Sequence, residues 1–144
     1  MSDEASRATG PNGTDEGETR RAPRGELAIR TIAMPADTNP AGDIFGGWVL
    51  SQMDVAGGME ARRVARGRVA TVAVDAMTFH LPVFVGDIVC CHASMKRVGR
   101  TSVCIHVETW ALRDGEGERV LVTEGLFTYV AIGEDRRPRE IGRG

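Results

Sequence analysis

The sequence predicts an α+β domain in which an antiparallel sheet of about five to six strands wraps around one long central helix. Three observations carry this expectation. A single stretch, about 47–66, repeats its apolar residues at helical spacing, and everything after Gly67 alternates at period two, broken by turn-forming residues. The helical stretch is also rich in small residues (Ala56, Gly57, Gly58, Ala61, Ala65), which lets a sheet approach closely on more than one side. A partly wrapped sheet keeps free edges, and pairing with a second copy is the expected remedy.

Taken in order, residues 1–25 are small, polar and mixed in charge, and read as a disordered tail. The domain is expected over 26–132, followed by a flexible tail over 133–144. Leu27–Ala33 alternates as a first strand. Met34–Asp43 holds the Pro, Asn, Asp and Gly content of a long structured loop. In the helix, Val49, Leu50, Met53, Ala56, Gly57, Ala61 and Val64 fall on one side, with Arg62, Arg63 and Arg66 outside it. Gly67 ends the helix as a C-terminal cap would. Val69–Phe79 is the next strand. In Ile88–Val98 the inward set is Val89, Cys91, Ala93 and Met95, opposite His92, Ser94 and Lys96. In Thr101–Arg113 it is Val103, Ile105, Val107 and Ala111, opposite Ser102, His106 and Glu108. Val98-Gly99-Arg100 reads as a tight hairpin turn and Asp114–Gly117 as a looser one, before a last strand over Val120–Ile132.

Composition excludes several classes. The 144 residues fit one domain, able to bury roughly 68–70% of its unfolded surface. Eighteen positive against twenty negative charges leave no excess for nucleic acid. No apolar run reaches the roughly 20 residues a membrane helix needs, and the first 25 residues lack a secretory apolar core, so a cytoplasmic protein without membrane insertion is expected. Cys90, Cys91 and Cys104 are odd in number and irregular in spacing, which fits buried thiols rather than disulfides or a metal site.

Asp54 is the residue that does not fit. It stands in mid-helix at the border of the apolar stripe, and its helical neighbours Leu50, Ser51, Gly57 and Gly58 offer no cation. Glu60, by contrast, has Arg63 one turn on. A carboxylate without a local partner is either satisfied by another segment or kept for chemistry. The preceding loop supplies complementary groups. Asn39 offers an amide, and Gly46 and Gly47 present helix N-terminal N–H groups with no Cβ in the way. Asp43 reads as a turn or N-cap residue. Together these make a carboxylate base, an amide that holds substrate or water, and an oxyanion donor, a set that can hydrolyse an acyl compound without a Ser-His pair.

The string Ala33–Asp54 closely resembles the YciA-like acyl-CoA thioesterases of the hotdog superfamily, and the likeness continues through Val72–Phe79, Val85–Cys91, Val98–Ser102 and Thr123–Ala131. The resemblance implies a hotdog fold and edge-to-edge dimers assembled into a hexamer, a trimer of dimers. The active site would lie between subunits, with Asp54 facing Asn39 of the partner subunit. Asp54 would be general base or nucleophile, Asn39 would hold the thioester carbonyl or the water, and the Gly46 N–H would be the oxyanion donor. Many hotdog thioesterases carry His where this chain has Phe45, which becomes hydrophobic wall. Gly47, Phe45, Phe79, Arg97, Gly99, Arg100, Thr101 and Ser102 are the expected substrate and CoA contacts, with Lys96 beside them and Arg62 or Arg63 as outsiders. CoA is part of substrate and product, and no cofactor or metal is expected. His80, His92 and His106 read as strand residues without catalytic work, His80 being the one whose strand end approaches the site. The competing readings are a hotdog enoyl-CoA hydratase, which needs a loop His that this chain lacks, and a non-catalytic acyl-CoA-binding protein.

Overall fold

The computed structural model describes residues 22–113 and 117–142. Its elements are β1 (Glu26–Ile32), α1 (Gly46–Ala65), β2 (Val69–Phe79), β3 (Ile88–Val98), β4 (Ser102–Leu112) and β5 (Arg119–Ala131), with one short 3-10 turn at Pro35–Asp37. The five strands form one antiparallel sheet in the order β1-β3-β4-β5-β2. The helix lies where its period-3.6 stripe demands. Val49, Met53, Ala56, Gly57, Ala61 and Ala65 are buried on it, packed in one core with Val103, Ile105, Val107, Phe127 and Tyr129 of the sheet. A fully buried side chain such as Met53 contributes about 1.5–3 kcal/mol.

Helix end and turns show where short-range reading stops. Arg66, not Gly67, takes the left-handed cap conformation (φ 59°, ψ 44°), and the Gly67 N–H then reaches back to the Arg62 carbonyl at 3.2 Å. The β3–β4 hairpin closes through the Gly99 N–H on the Ser102 carbonyl at 2.7 Å. Residues 114–116 of the second turn lie outside the described residues.

Both tail expectations are corrected within the described residues. On the polar face, opposite the inward set, His92 and Glu108 are buried, and so is Trp110 beside them. Residues 22–25 help to explain why: the Arg24 N–H donates to Glu108 Oε1 at 2.9 Å, Trp110 Nε1 donates to the same oxygen at 2.9 Å, and the Gly25 carbonyl meets His92 Nδ1 at 3.2 Å. A buried carboxylate needs such donors. Residues 1–21 of the expected tail lie outside the described residues. At the other end, Ile132 bridges to Pro138, Arg139 Nη2 donates to the Ala65 carbonyl at 2.9 Å, and Ile141 is buried in the core. The segment is therefore anchored at Arg139, on the open carbonyl end of α1, and at Ile141, while 134–138 stay exposed.

Among the described residues two edges of the sheet stay unpaired, β1 and β2. β2 is irregular: its register against β5 shifts between Asp75 and Thr78, and Ala76 takes φ 52°, the pattern of a bulge that re-aims an edge strand. Beside it, Val72 and Val74 of β2 and Val55 and Met59 of α1 are exposed.

Candidate active site

Asp54 is half-buried, and the segments that satisfy it are strands. Thr71 Oγ1 of β2 donates to Asp54 Oδ1 at 2.8 Å. The Tyr129 hydroxyl of β5 lies 3.1 Å from that oxygen and 2.9 Å from the Asp54 backbone carbonyl. Burial, then the Asp54 charge and hydrogen bond, push the Tyr129 hydroxyl well above its ordinary range, so it remains a donor. No Arg or Lys pairs with Asp54 among the described residues, and Oδ2 takes no partner there. Glu60 is the contrast, held by Arg63 Nε at 3.1 Å. Thr71 and Tyr129 were missed by sequence reading. They become neighbours of one another only once β2 pairs with β5, where Thr71 stands opposite Tyr129.

The loop before α1 is built around Asn39. Its Oδ1 accepts from the Ala41 N–H at 2.9 Å and the Asp43 N–H at 3.1 Å, and its own N–H donates to the Asp43 carbonyl at 2.7 Å. The Asn39 Nδ2 takes no partner among the described residues. Asp43 is thus a turn residue. The N-cap is Phe45, which supplies no side-chain acceptor, so the Gly46 and Gly47 N–H groups find none among the described residues. Phe79, from the end of β2, lies over Gly46, its ring 3.5 Å from where a Cβ would stand.

Gly46 and Phe79 open onto a cavity of about 290 Å³, whose wall includes Ile44, Val49, His80 and Val122. His80 turns its Nε2 to Glu124 Oε2 at 3.0 Å. The chain brings Gly46, Phe79 and the cavity together, but neither Asn39 nor Asp54 lines it. Asp54 follows Gly46 by eight residues on the same helix, about 12 Å along its axis.

The other expected contacts cluster at the β3–β4 hairpin, where Lys96 and Arg97 are exposed. Arg100 is tied to Glu140, with Nε and Nη2 each 3.0 Å from Oε2. Thr101 accepts from the Ala131 N–H at 2.8 Å and, like Gly99 and Ser102, shapes the turn. Arg62 and Arg63 line a separate cleft of about 450 Å³ with Met59 and Arg66.

Two further groups bear on chemistry. His106 stands between Glu124 (Nε2 to Oε1, 3.2 Å) and buried Glu108 (Nδ1 to Oε2, 3.9 Å), the one trio of metal-type ligands within 4.8 Å among the described residues. Burial alone would push Glu124 up, but hydrogen bonds and charge from His80 and His106 outweigh it and hold Glu124 below its ordinary value. All three cysteines are buried and free, and burial pushes the Cys91 thiol up to about 11, far from a reactive thiolate.

Residues 41–118 match the family model of the thioesterase superfamily. The chain is 52% identical over 122 residues to the acyl-CoA thioester hydrolase YciA of Salmonella typhimurium, covering 83% of this chain and 92% of that protein. It is 50% identical over 126 residues to the YciA of Escherichia coli, covering 85% and 96%. Among solved structures, HI0827, a hexameric broad-specificity acyl-coenzyme A thioesterase, matches with TM-score 0.80 and 49% identity over 85% of each chain. The hexameric thioesterase y2039 from Yersinia pestis matches with TM-score 0.81 and 51% identity, over 85% of this chain and all of that one.

Proposed function

The chain belongs to the thioesterase superfamily as a hotdog-fold, YciA-like acyl-CoA thioester hydrolase, and from that premise we propose how its residues hydrolyse the thioester. Asp54 Oδ2 takes a proton from water while the oxygen attacks the thioester carbonyl carbon. The Gly46 N–H, at an uncapped helix start, stabilises the oxyanion, and Asn39 Nδ2 orients the carbonyl or the water. Collapse breaks the C–S bond, CoA leaves as thiolate and takes up a proton, and the free acid follows. Direct attack by Oδ2, giving a mixed anhydride, uses the same placement. Water then opens the anhydride at either carbonyl carbon, releasing the acid and restoring Asp54. Label found in Asp54 after a single turnover in heavy-oxygen water marks the anhydride route, because the general-base route puts label only in the product.

One thioester cannot meet Gly46 and Asp54 of the same chain at about 12 Å separation. The site is therefore composite: Asp54 works with Asn39 and Gly46 of the partner subunit. The unpaired β2 edge, with exposed Val72, Val74, Val55 and Met59 beside Asp54, supports an edge-to-edge dimer there. The solved relatives are hexameric, and a trimer of such dimers is the assembly we propose. Phe45, Gly47 and Phe79 wall the acyl thioester, while Lys96, Arg97 and Arg100, with Gly99, Thr101 and Ser102, receive the CoA phosphates. A carboxylate, an N–H donor and water suffice, so the reaction takes no cofactor. No described helix is long and apolar enough to cross a membrane, and the enzyme is proposed to act in the cytoplasm.

The carrying observation is the Asp54 carboxylate: one oxygen is held by hydroxyls, and among the described residues the other has no partner and no cation is attached. Asp54→Asn keeps the acceptor for Thr71 and Tyr129 while removing the base. Turnover measured as thiol release from several acyl-CoAs should fall by about 10²–10⁴ with assembly unchanged. Near-normal turnover would refute the assignment. Hydration of an offered enoyl-CoA would point to the hydratase reading instead.

A further inference from the structure

We propose that Tyr129 is a positioning residue for Asp54, admitted to the helix by Gly57, and that its two-point hold makes Oδ2 the reacting oxygen. This rests on the reading of Asp54 as the base. The Tyr129 hydroxyl shares its one proton in a three-centre bond between two acceptors of one residue, the backbone carbonyl of Asp54 (2.9 Å) and its Oδ1 (3.1 Å). Gripping the main chain and the carboxylate together fixes the side-chain torsion between them. The ring itself has no room to follow a moving carboxylate: Tyr129 is 1% exposed and stacks on Phe127 with centroids 6.4 Å apart. Thr71 adds the second donor to the same oxygen from the strand paired opposite. With both hydroxyls on Oδ1, only Oδ2 is open to a substrate.

Gly57 is what makes the approach possible. A Cβ there would overlap the Tyr129 hydroxyl and stand 3.2 Å from Val107 Cγ2. Glycine weakens a helix interior, so two in succession at 57 and 58 call for a reason. The reason at 57 is the hydroxyl, and at 58 the ring edge still lies 3.7 Å from a built Cβ.

The test compares Tyr129→Phe, Gly57→Ala, Asp54→Asn and the double variant Tyr129→Phe/Asp54→Asn, in kinetics, thermal melting and assembly size. Tyr129→Phe keeps the packed ring and should lower kcat by about 10- to 100-fold, the worth of one hydrogen bond to a charged group, with KM unchanged. Gly57→Ala, which displaces the hydroxyl without removing it, should lower kcat in the same sense. In the Asp54→Asn background, Tyr129→Phe should cost nothing further. Unchanged kcat in Tyr129→Phe while Asp54→Asn is inactive overturns the positioning role and leaves the base standing. Losses that simply multiply in the double variant, or failure of both Tyr129→Phe and Gly57→Ala to fold, also overturn it by making Tyr129 structural. An active Asp54→Asn instead sinks the base assignment on which the proposal rests.

Discussion

Asp54 and Gly46 share a helix about 12 Å apart, which makes a quantitative complementation experiment possible. The perturbations are Asp54→Asn in one chain and Asn39→Asp in another. Asn39→Asp is chosen because Oδ1 holds the loop through the Ala41 and Asp43 N–H groups, and aspartate keeps that oxygen while removing the Nδ2 donor. Each variant alone should be nearly inactive. Co-expressed in equal amounts under two affinity tags, they pair at random, and about half of the dimers are hybrids. In every hybrid, one site receives both mutations and the other receives neither. The mixture should then recover about a quarter of wild-type turnover, and hexamers purified through both tags about the same share, since about half of their dimers are hybrids. Thiol release on the tag-selected material reads this directly. If both residues served the same site within a chain, no combination would restore a wild-type site. Activity of the mixture equal to the mean of its parents would refute the composite site.

Two further outcomes follow from the charged groups. Arg97→Ala should raise KM for acyl-CoA by about two- to five-fold, the scale of an exposed ion pair, and leave the matching acyl-pantetheine, which lacks the nucleotide phosphates, unaffected. Arg100→Ala should do less, because Glu140 already engages its guanidinium; equal effects on both substrates would remove the hairpin from CoA binding. On the acid side, folding holds Glu124 below its ordinary value, so the native state binds fewer protons than the unfolded chain there. Its stabilisation is full above the usual glutamate value of about 4.3 and is lost as pH falls through the lower folded value. Glu124→Gln should lower Tm at neutral pH and flatten its fall below pH of about 4. A melting profile that runs parallel to wild type would show that His80 and His106 contribute nothing through this carboxylate.

The helix was legible to within a residue at each end, because six apolar side chains and Gly57 recur at one helical spacing and no other stretch of the chain repeats it. Strand limits follow almost as closely from alternation and turn residues. Alternation assigns two faces but is silent on what covers the second one, which is why the burial of Glu108 and His92, both placed opposite the inward set, was not legible. The oddity of Asp54 was visible from its missing helical partner. Its true donors were not, since they arrive from 17 and 75 residues away and depend on a pairing register no local pattern encodes. At the helix end, left-handed geometry fell on Arg66 although the neighbouring glycine adopts it more cheaply; Gly67 instead provides clearance for Arg139, which would strike a side chain placed there.

Glu108 is reached by residue 24 through an amide of the main chain. That contact is indifferent to the identity of the side chain: nineteen amino acids carry the needed N–H and only proline does not. The strap across the back of the sheet can therefore drift in sequence without losing this contact, and a version cut back beyond Gly25 would leave a sealed-in carboxyl group short of one of its donors.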